Sequence, residues 1–338
     1  MKKIKTELVR ESFLKDLIMV TGAPASGKSL LSPIVSSLER TENFQMSVLL
    51  EHLGTMNYLN KLADDVLVYL YRYVVDFMLY DNMIGRDLNF RFGDETSIFD
   101  TNDPEIYFDR LLAERGGYIV DEIKMKRPLL VVGLTDAFCH GKRWFEAFPF
   151  LKILHTRRHP VDIVYSWYNH RFGDEVRLSK SSKNKSITYG SEGYNSVITQ
   201  IVLIRKNNKI MPYYASGWEH EYMNMCSMDR VIHMINTINK NYSKTLNSFS
   251  KKERSNVLFL THDETVVNTE TTLKKICSFL KTNETKYTSV IIKREQCPRT
   301  LKKSVRDKKR DKIKELASDE CFSLLNSMVK DYRSWGKH

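Results

Sequence analysis

The sequence predicts an α/β fold, a P-loop-type parallel β-sheet flanked by helices in a three-layer αβα sandwich. Three observations carry that expectation. The segment "DLIMVTGAPASGKSLL" runs from a short apolar stretch through a glycine-rich turn into a helical pattern. Further continuous apolar runs recur at "PLLVVGL" (128–134), "LKILHT" (151–156) and "NVLFLTHDE" (256–264). Each lacks the alternation of a half-exposed strand, as expected for a strand buried on both faces. Helical patterns separate these runs, which is the βαβ order of a parallel, doubly wound sheet.

In order along the chain, Leu17–Thr21 reads as the first strand and about 27–40 as the helix after it. "MSVLL" (46–50) reads as a second strand, and 62–83 as a long aromatic-rich helix. Asp103-Pro104 signals a helix start, running to about Arg115. Pro160 suits the first turn of a helix opened by "RRHPVDIVYSWYNH", and "TETTLKKICSFL" (269–280) reads as a later helix. The Ser/Lys/Asn/Gly-rich stretch 177–196 reads as a loop, and the repeated "RFGDE" has no repetition around it. No linker interrupts the chain, so one domain is expected over 1–338, with substrate-pocket insertions around 41–127 and 171–255.

Of the 338 residues, 42% are hydrophobic and 11% aromatic, enough for a substantial core, which argues against disorder. A net charge of +12 favours anionic partners. The densest basic run, "LKKSVRDKKRDKIK" (301–314), has no aromatics to stack on bases, so no nucleic-acid partner is expected. Five scattered cysteines show neither C-x-x-C nor metal-ligand spacing, and no metal site is expected. The N-terminal stretch lacks the apolar core of a signal peptide. The most apolar later segment, 66–80, carries Arg72 and Asp76, so no membrane span is expected. Together these point to a cytoplasmic protein; oligomeric state is not legible.

Gly22 to Ser29 reads G-A-P-A-S-G-K-S, a full match to the phosphate-cradling pattern G-x-x-x-x-G-K-[ST] between a strand and a helix. In such a loop successive amides converge on phosphate oxygens and the helix N-terminus adds positive potential. Gly22, Ala25, Ser26, Gly27, Lys28, Ser29 and Leu30 are therefore candidate nucleotide-binding residues. The loop alone leaves open a small-molecule kinase or other NTPase using Mg-ATP. That reading calls for a carboxylate at the end of a neighbouring strand, with Asp121 and Asp136 as candidates. A second motif, "RHPVDIVYSWY", places Arg158 at a strand end and Ser166 two helical turns on, a guanidinium and a hydroxyl suited to a second phosphate.

These two motifs, in this order, resemble the sulfotransferases that use 3′-phosphoadenosine 5′-phosphosulfate (PAPS). In that family a strand runs into R-x-P-x-D-x-x-x-S-x-Y, and "RHPVDIVYSWY" matches each of those positions. "PASGKS" is the counterpart of the family's P-[KR]-S-G-T-[TS] loop, with Ala25 where the family has a basic residue and Lys28 where it usually has Thr. The likeness extends to "FEAFPFLKILHTRRHP" and "NVLFLTHDETVVNTETTLKKICSFL" and covers the first 40 residues, 128–170 and 256–281. It implies PAPS as sulfuryl donor, the loop on the 5′-phosphosulfate, and Arg158 and Ser166 on the 3′-phosphate. Late basic residues of the family often reach the 3′-phosphate, here Arg299 or Arg306. The acceptor would be a hydroxyl or amine of a carbohydrate or small molecule. It needs a general base, for which Asp136, His140, Glu51 and His52 follow strands. Lys28 is expected to meet the charge of the leaving phosphate.

Overall fold

The computed structural model describes residues 6–101, 103–178, 187–190 and 201–334. Five parallel strands form the central sheet: β1 (Leu17–Gly22), β2 (Gln45–Met46), β3 (Leu130–Thr135), β4 (Lys152–Arg157) and β5 (Val257–Thr261). Their spatial order is β2-β3-β1-β4-β5. Strand β1 lies between β3 and β4, with Val20 beside Gly133 on one side and Leu154 on the other. The chain thus crosses outward in both directions from β1, and the crevice opens at the C-terminal ends of β1, β3 and β4.

All six residues of β1 are buried because both faces are covered. Leu17 and Met19 join one apolar cluster with Leu67, Tyr71 and Val75 of α3 (Asp64–Met83) and Ile232 and Ile235 of α5 (Ser227–Ser248). Ile18 and Val20 join the other, with Leu31 and Ile34 of α1 (Lys28–Val35) and Leu273 and Ile276 of α6 (Thr269–Leu280). This is the three-layer arrangement that continuous apolar runs predict. The remaining helices that matter to the crevice are α2 (Val48–Tyr58), α4 (Pro160–Asn169) and α7 (Lys303–Leu316). No helix among the described residues is long and apolar enough to cross a membrane.

Several expected boundaries are corrected. "MSVLL" is not a strand: only Gln45–Met46 pair with the sheet, and Ser47 then caps α2, its hydroxyl accepting from the Leu50 amide. A serine cap followed by Glu51 in the first turn outweighs the apolar propensity of Val48–Leu50. Helix α1 stops at Val35, short of Arg40. Pro33 removes one helical donor, and Ser37 and Leu38 turn back tightly onto Ile34 and Val35. The helix begun at Pro104 ends at Arg110, and "GGYIVDE" belongs to a separate helix, Gly117–Lys126, rather than to a strand. Residues 262–264, expected within the last strand, open a short helix, His262–Val267, capped by Thr261. Most of the loop expected over 177–196 lies outside the described residues; Arg177–Leu178 and Ile187–Thr188 pair as an antiparallel ribbon.

Candidate active site

The glycine loop leaves β1 at Gly22, where a side chain is sterically excluded: a Cβ would sit 2.3 Å from the Thr156 carbonyl oxygen of β4. Ala25 (φ 62°) and Gly27 (φ 106°) take left-handed conformations that wrap the loop around an open centre. The first helical hydrogen bond runs from the Leu31 amide to Gly27, so the amides of Lys28, Ser29 and Leu30 precede it. Three contacts clamp the loop from the β4–α4 side. The buried Trp167 indole donates to the Pro24 carbonyl at 2.8 Å, the Thr156 hydroxyl to the Ser26 carbonyl at 3.2 Å, and Arg158 Nη1 to the Ala25 carbonyl at 3.1 Å. The buried Arg158 Nε and Ser26 Oγ have no hydrogen-bond partner among the described residues.

An open cleft of about 980 Å³ runs along this loop. Ala25, Gly27, Lys28, Ser29 and Leu30 line it, and so do Glu51, Arg158, Ser166 and Arg299. The structure therefore brings together residues as far apart as Ala25 and Arg158, 133 positions away, in direct contact. Burial lowers the pKa of the Lys28 ammonium, while Glu51, Asp136 and Glu95 pull it back up. Glu51 projects from the first turn of α2, and its Oε1 accepts from the Thr135 amide at 2.5 Å. Burial pushes its carboxyl up to about 7, against the lowering effects of that hydrogen bond and of Lys28. A carboxyl so placed, titrating near neutrality in a cleft, has the properties of a general base.

Other expected residues lie elsewhere. Asp136 follows β3 but is buried away from the cleft, accepting from the Tyr214 hydroxyl and, at 2.7 Å, from the Tyr242 hydroxyl. It makes no side-chain cap to the turn it precedes, and burial raises its pKa. His140 is buried against Tyr58 and close to Gly54, and burial pushes its pKa down to about 4, which leaves it neutral. Arg306 does not line the cleft: it donates to Asp162 at 2.7 Å and to Asp263 at 2.8 Å. With Lys309 on Asp162 at 2.7 Å, it fastens α7 to α4. The two cations outweigh burial and hold the Asp162 carboxyl below its usual range. Asp121 sits exposed in the helix Gly117–Lys126, so it ends no strand. Gly22 acts at the loop's base, as the close approach to Thr156 requires. His52 is the neighbour of Glu51 in α2 and does not line the cleft.

Sequence reasoning missed Trp167, which hides among the apolar residues of α4 although its indole N–H holds the loop. It also missed His262 and Arg294, which line the cleft from after β5 and from the helix Thr288–Arg294. Among the described residues, no group of His, Cys, Asp and Glu is arranged to hold a metal.

Solved structures similar to this chain include the following three. A sulfotransferase domain from the olefin synthase of Synechococcus PCC 7002 is 10% identical, with a TM-score of 0.42 over 97% of this chain and 98% of that one. A sulfotransferase from Alicyclobacillus acidocaldarius is 14% identical, with a TM-score of 0.35 over 96% and 97%. A sulfotransferase domain from the curacin biosynthetic pathway is 12% identical, with a TM-score of 0.37 over 81% and 77%. No protein-family model matches the chain, and no curated protein matches it in sequence.

Proposed function

We propose that this protein is a PAPS-dependent sulfotransferase, moving a sulfuryl group to a hydroxyl or amine of a carbohydrate or small-molecule acceptor. The observation that carries this reading is the presence of Arg158 and Ser166 in the same cleft as the Gly22–Ser29 loop. One loop of amides answers one phosphate; a separate guanidinium and hydroxyl answer a second one at a distance. An adenosine carrying both a 5′- and a 3′-phosphate satisfies both, whereas ATP presents its charges in one row.

The residues fit such a donor. Arg158 Nε and Ser26 Oγ are polar atoms with no partner in the described protein, and the amides of Lys28, Ser29 and Leu30 stand ahead of the helical ladder. PAPS supplies an activated sulfur with a phosphate leaving group. Lys28 and the loop amides would stabilise charge as it gathers on that phosphate, a preorganised electrostatic role. The Glu51 carboxylate would take the proton of the acceptor as its oxygen or nitrogen bonds to sulfur and the sulfur–oxygen bond to the phosphate breaks. The Thr135 amide fixes Glu51 for that task. Arg299, whose guanidinium donates to the Glu295 and Gln296 carbonyls, would cover the nucleotide side of the cleft.

The test is to incubate the protein with PAPS and a mixed set of sugars, phenols and amines without divalent cations, and follow the desulfated nucleotide by anion-exchange chromatography. Acceptor-dependent release, lost in Lys28→Ala, is expected. If PAPS stays intact there while a parallel incubation with Mg-ATP and the same acceptors turns over ATP, a kinase is favoured instead.

A further inference from the structure

Beside the cleft lies a second cavity of about 390 Å³, and we infer that it is the acceptor subsite and takes a neutral, polyhydroxylated ring, a pyranose sugar. The inference rests on the sulfuryl-transfer reading and names the acceptor class that reading leaves open.

The chemistry of the walls is the first argument. Asn43, Gln45, Ser47, Asn82, Asn89 and Thr96 all face this cavity, with aliphatic side chains between them. Among the described residues, its lining holds no aromatic ring, no Lys, Arg or His, and a single carboxylate, Asp87. A phenol or steroid calls for apolar walls, and an anionic acceptor calls for cations. Amides and hydroxyls both donate and accept, as sugar hydroxyls do.

Gln45 is the sharper observation. Its Oε1 and Nε2 are both buried, and neither has a hydrogen-bond partner among the described residues. Buried amide groups are nearly always paired in folded proteins, so such a pair asks for a ligand. Adjacent hydroxyls answer both atoms together, one donating to Oε1 and its neighbour accepting from Nε2. The surrounding groups are held in advance. Asn43 Nδ2 donates to the Thr96 carbonyl at 2.8 Å and Asn89 Nδ2 to the Thr96 hydroxyl at 2.9 Å. Asn82 Oδ1 accepts from Arg110, which Glu42 holds at 2.7 and 2.9 Å.

Position is the second argument. Met46 lines both the cavity and the cleft. Gln45 and Met46 form β2 at the sheet edge, and Ser47 caps the helix whose first turn carries Glu51. The segment 89–96 gives Asn89 and Thr96 to the cavity but Gly93 and Glu95 to the cleft. A ring seated in the cavity therefore lies on the Glu51 side of the loop, opposite Arg158 and Ser166.

Saturation-transfer NMR tests this with the methyl glycosides of glucose, galactose, mannose and N-acetylglucosamine, and with 4-nitrophenol, each added to the protein saturated with 3′-phosphoadenosine 5′-phosphate. At least one glycoside is expected to bind. Gln45→Leu and, separately, Asn89→Ala should weaken it about tenfold or more, since a site built on hydrogen bonds penalises their loss. Nucleotide affinity by calorimetry should stay unchanged in both variants, which also reports that they fold. Binding of 4-nitrophenol alone, binding of none of the glycosides, or equal glycoside binding by parent and both variants would overturn the subsite. Gln45-dependent glycoside binding by a protein that fails to bind the nucleotide would keep the subsite and remove the sulfuryl-transfer reading instead.

Discussion

The two sides of β1 differ in chemistry although both are built from a strand end and a helix start. On the β4–α4 side the groups are cationic or hydroxylic: Arg158 and Ser166 face the cleft, with the buried Arg157 behind them donating to Asn239 at 2.8 Å. On the β3–α2 side they are acidic: Glu51 faces the cleft and Asp136 lies behind it under two tyrosines. Lys28 stands between, its pKa lowered by burial against the opposing pull of Glu51, Asp136 and Glu95. Under the sulfuryl-transfer proposal, one side would hold fixed anionic charge and the other would receive a proton. The contrast between Glu51 and Asp136 shows why residue type alone does not name a base. Both are buried carboxyls raised by desolvation, but only Glu51 opens to the cleft.

This division can be broken most severely at the acidic side. Glu51→Gln removes the proton acceptor while keeping the hydrogen bond from Thr135, and should lower turnover by about 10²–10⁴-fold. The parent should show kcat/KM rising with pH through about 7, because below that value the raised Glu51 carboxyl is protonated and cannot accept. Glu51→Gln should flatten that limb; an unchanged limb would move the base elsewhere. Next comes Lys28→Ala, expected to cut kcat by about 10²–10³ with a smaller effect on binding of the desulfated nucleotide, since it meets charge that develops in the transition state. Lys28→Met, which keeps the stem, separates lost charge from lost packing.

On the basic side Arg158→Ala should act on affinity instead. Losing a charge-assisted phosphate contact should cost about 1.5–3 kcal/mol of nucleotide binding by calorimetry. An unfolded variant would make Arg158 structural. The smallest functional effect is expected behind the acidic wall. Tyr242→Phe leaves the Asp136 carboxylate with one phenol fewer, and should lower stability by about 1–3 kcal/mol in denaturant titration while nucleotide affinity holds.

The geometry of the loop side was legible in the sequence because backbone does much of the work there. A strand, a glycine turn and a helix start are written locally, and Arg158 and Ser166 follow from helical spacing within one motif. The acidic side depends on contacts between distant segments. Nothing near Asp136 announces that Tyr214 and Tyr242 will claim it, and the stretch around Ser47 reads as strand until its capping role is seen. Arg306 was misjudged for the same reason: its partners Asp162 and Asp263 lie in two other elements.

On the proposed function, the cleft is made for two separated phosphates on one nucleoside. Isothermal titration of the protein with 3′-phosphoadenosine 5′-phosphate, ADP and ATP, all without Mg²⁺, tests it most directly. Tightest binding of the 3′,5′-bisphosphate is expected, with that preference lost in Arg158→Ala. Equal affinity for ADP, or a preference for ATP that strengthens when Mg²⁺ is added, would contradict it.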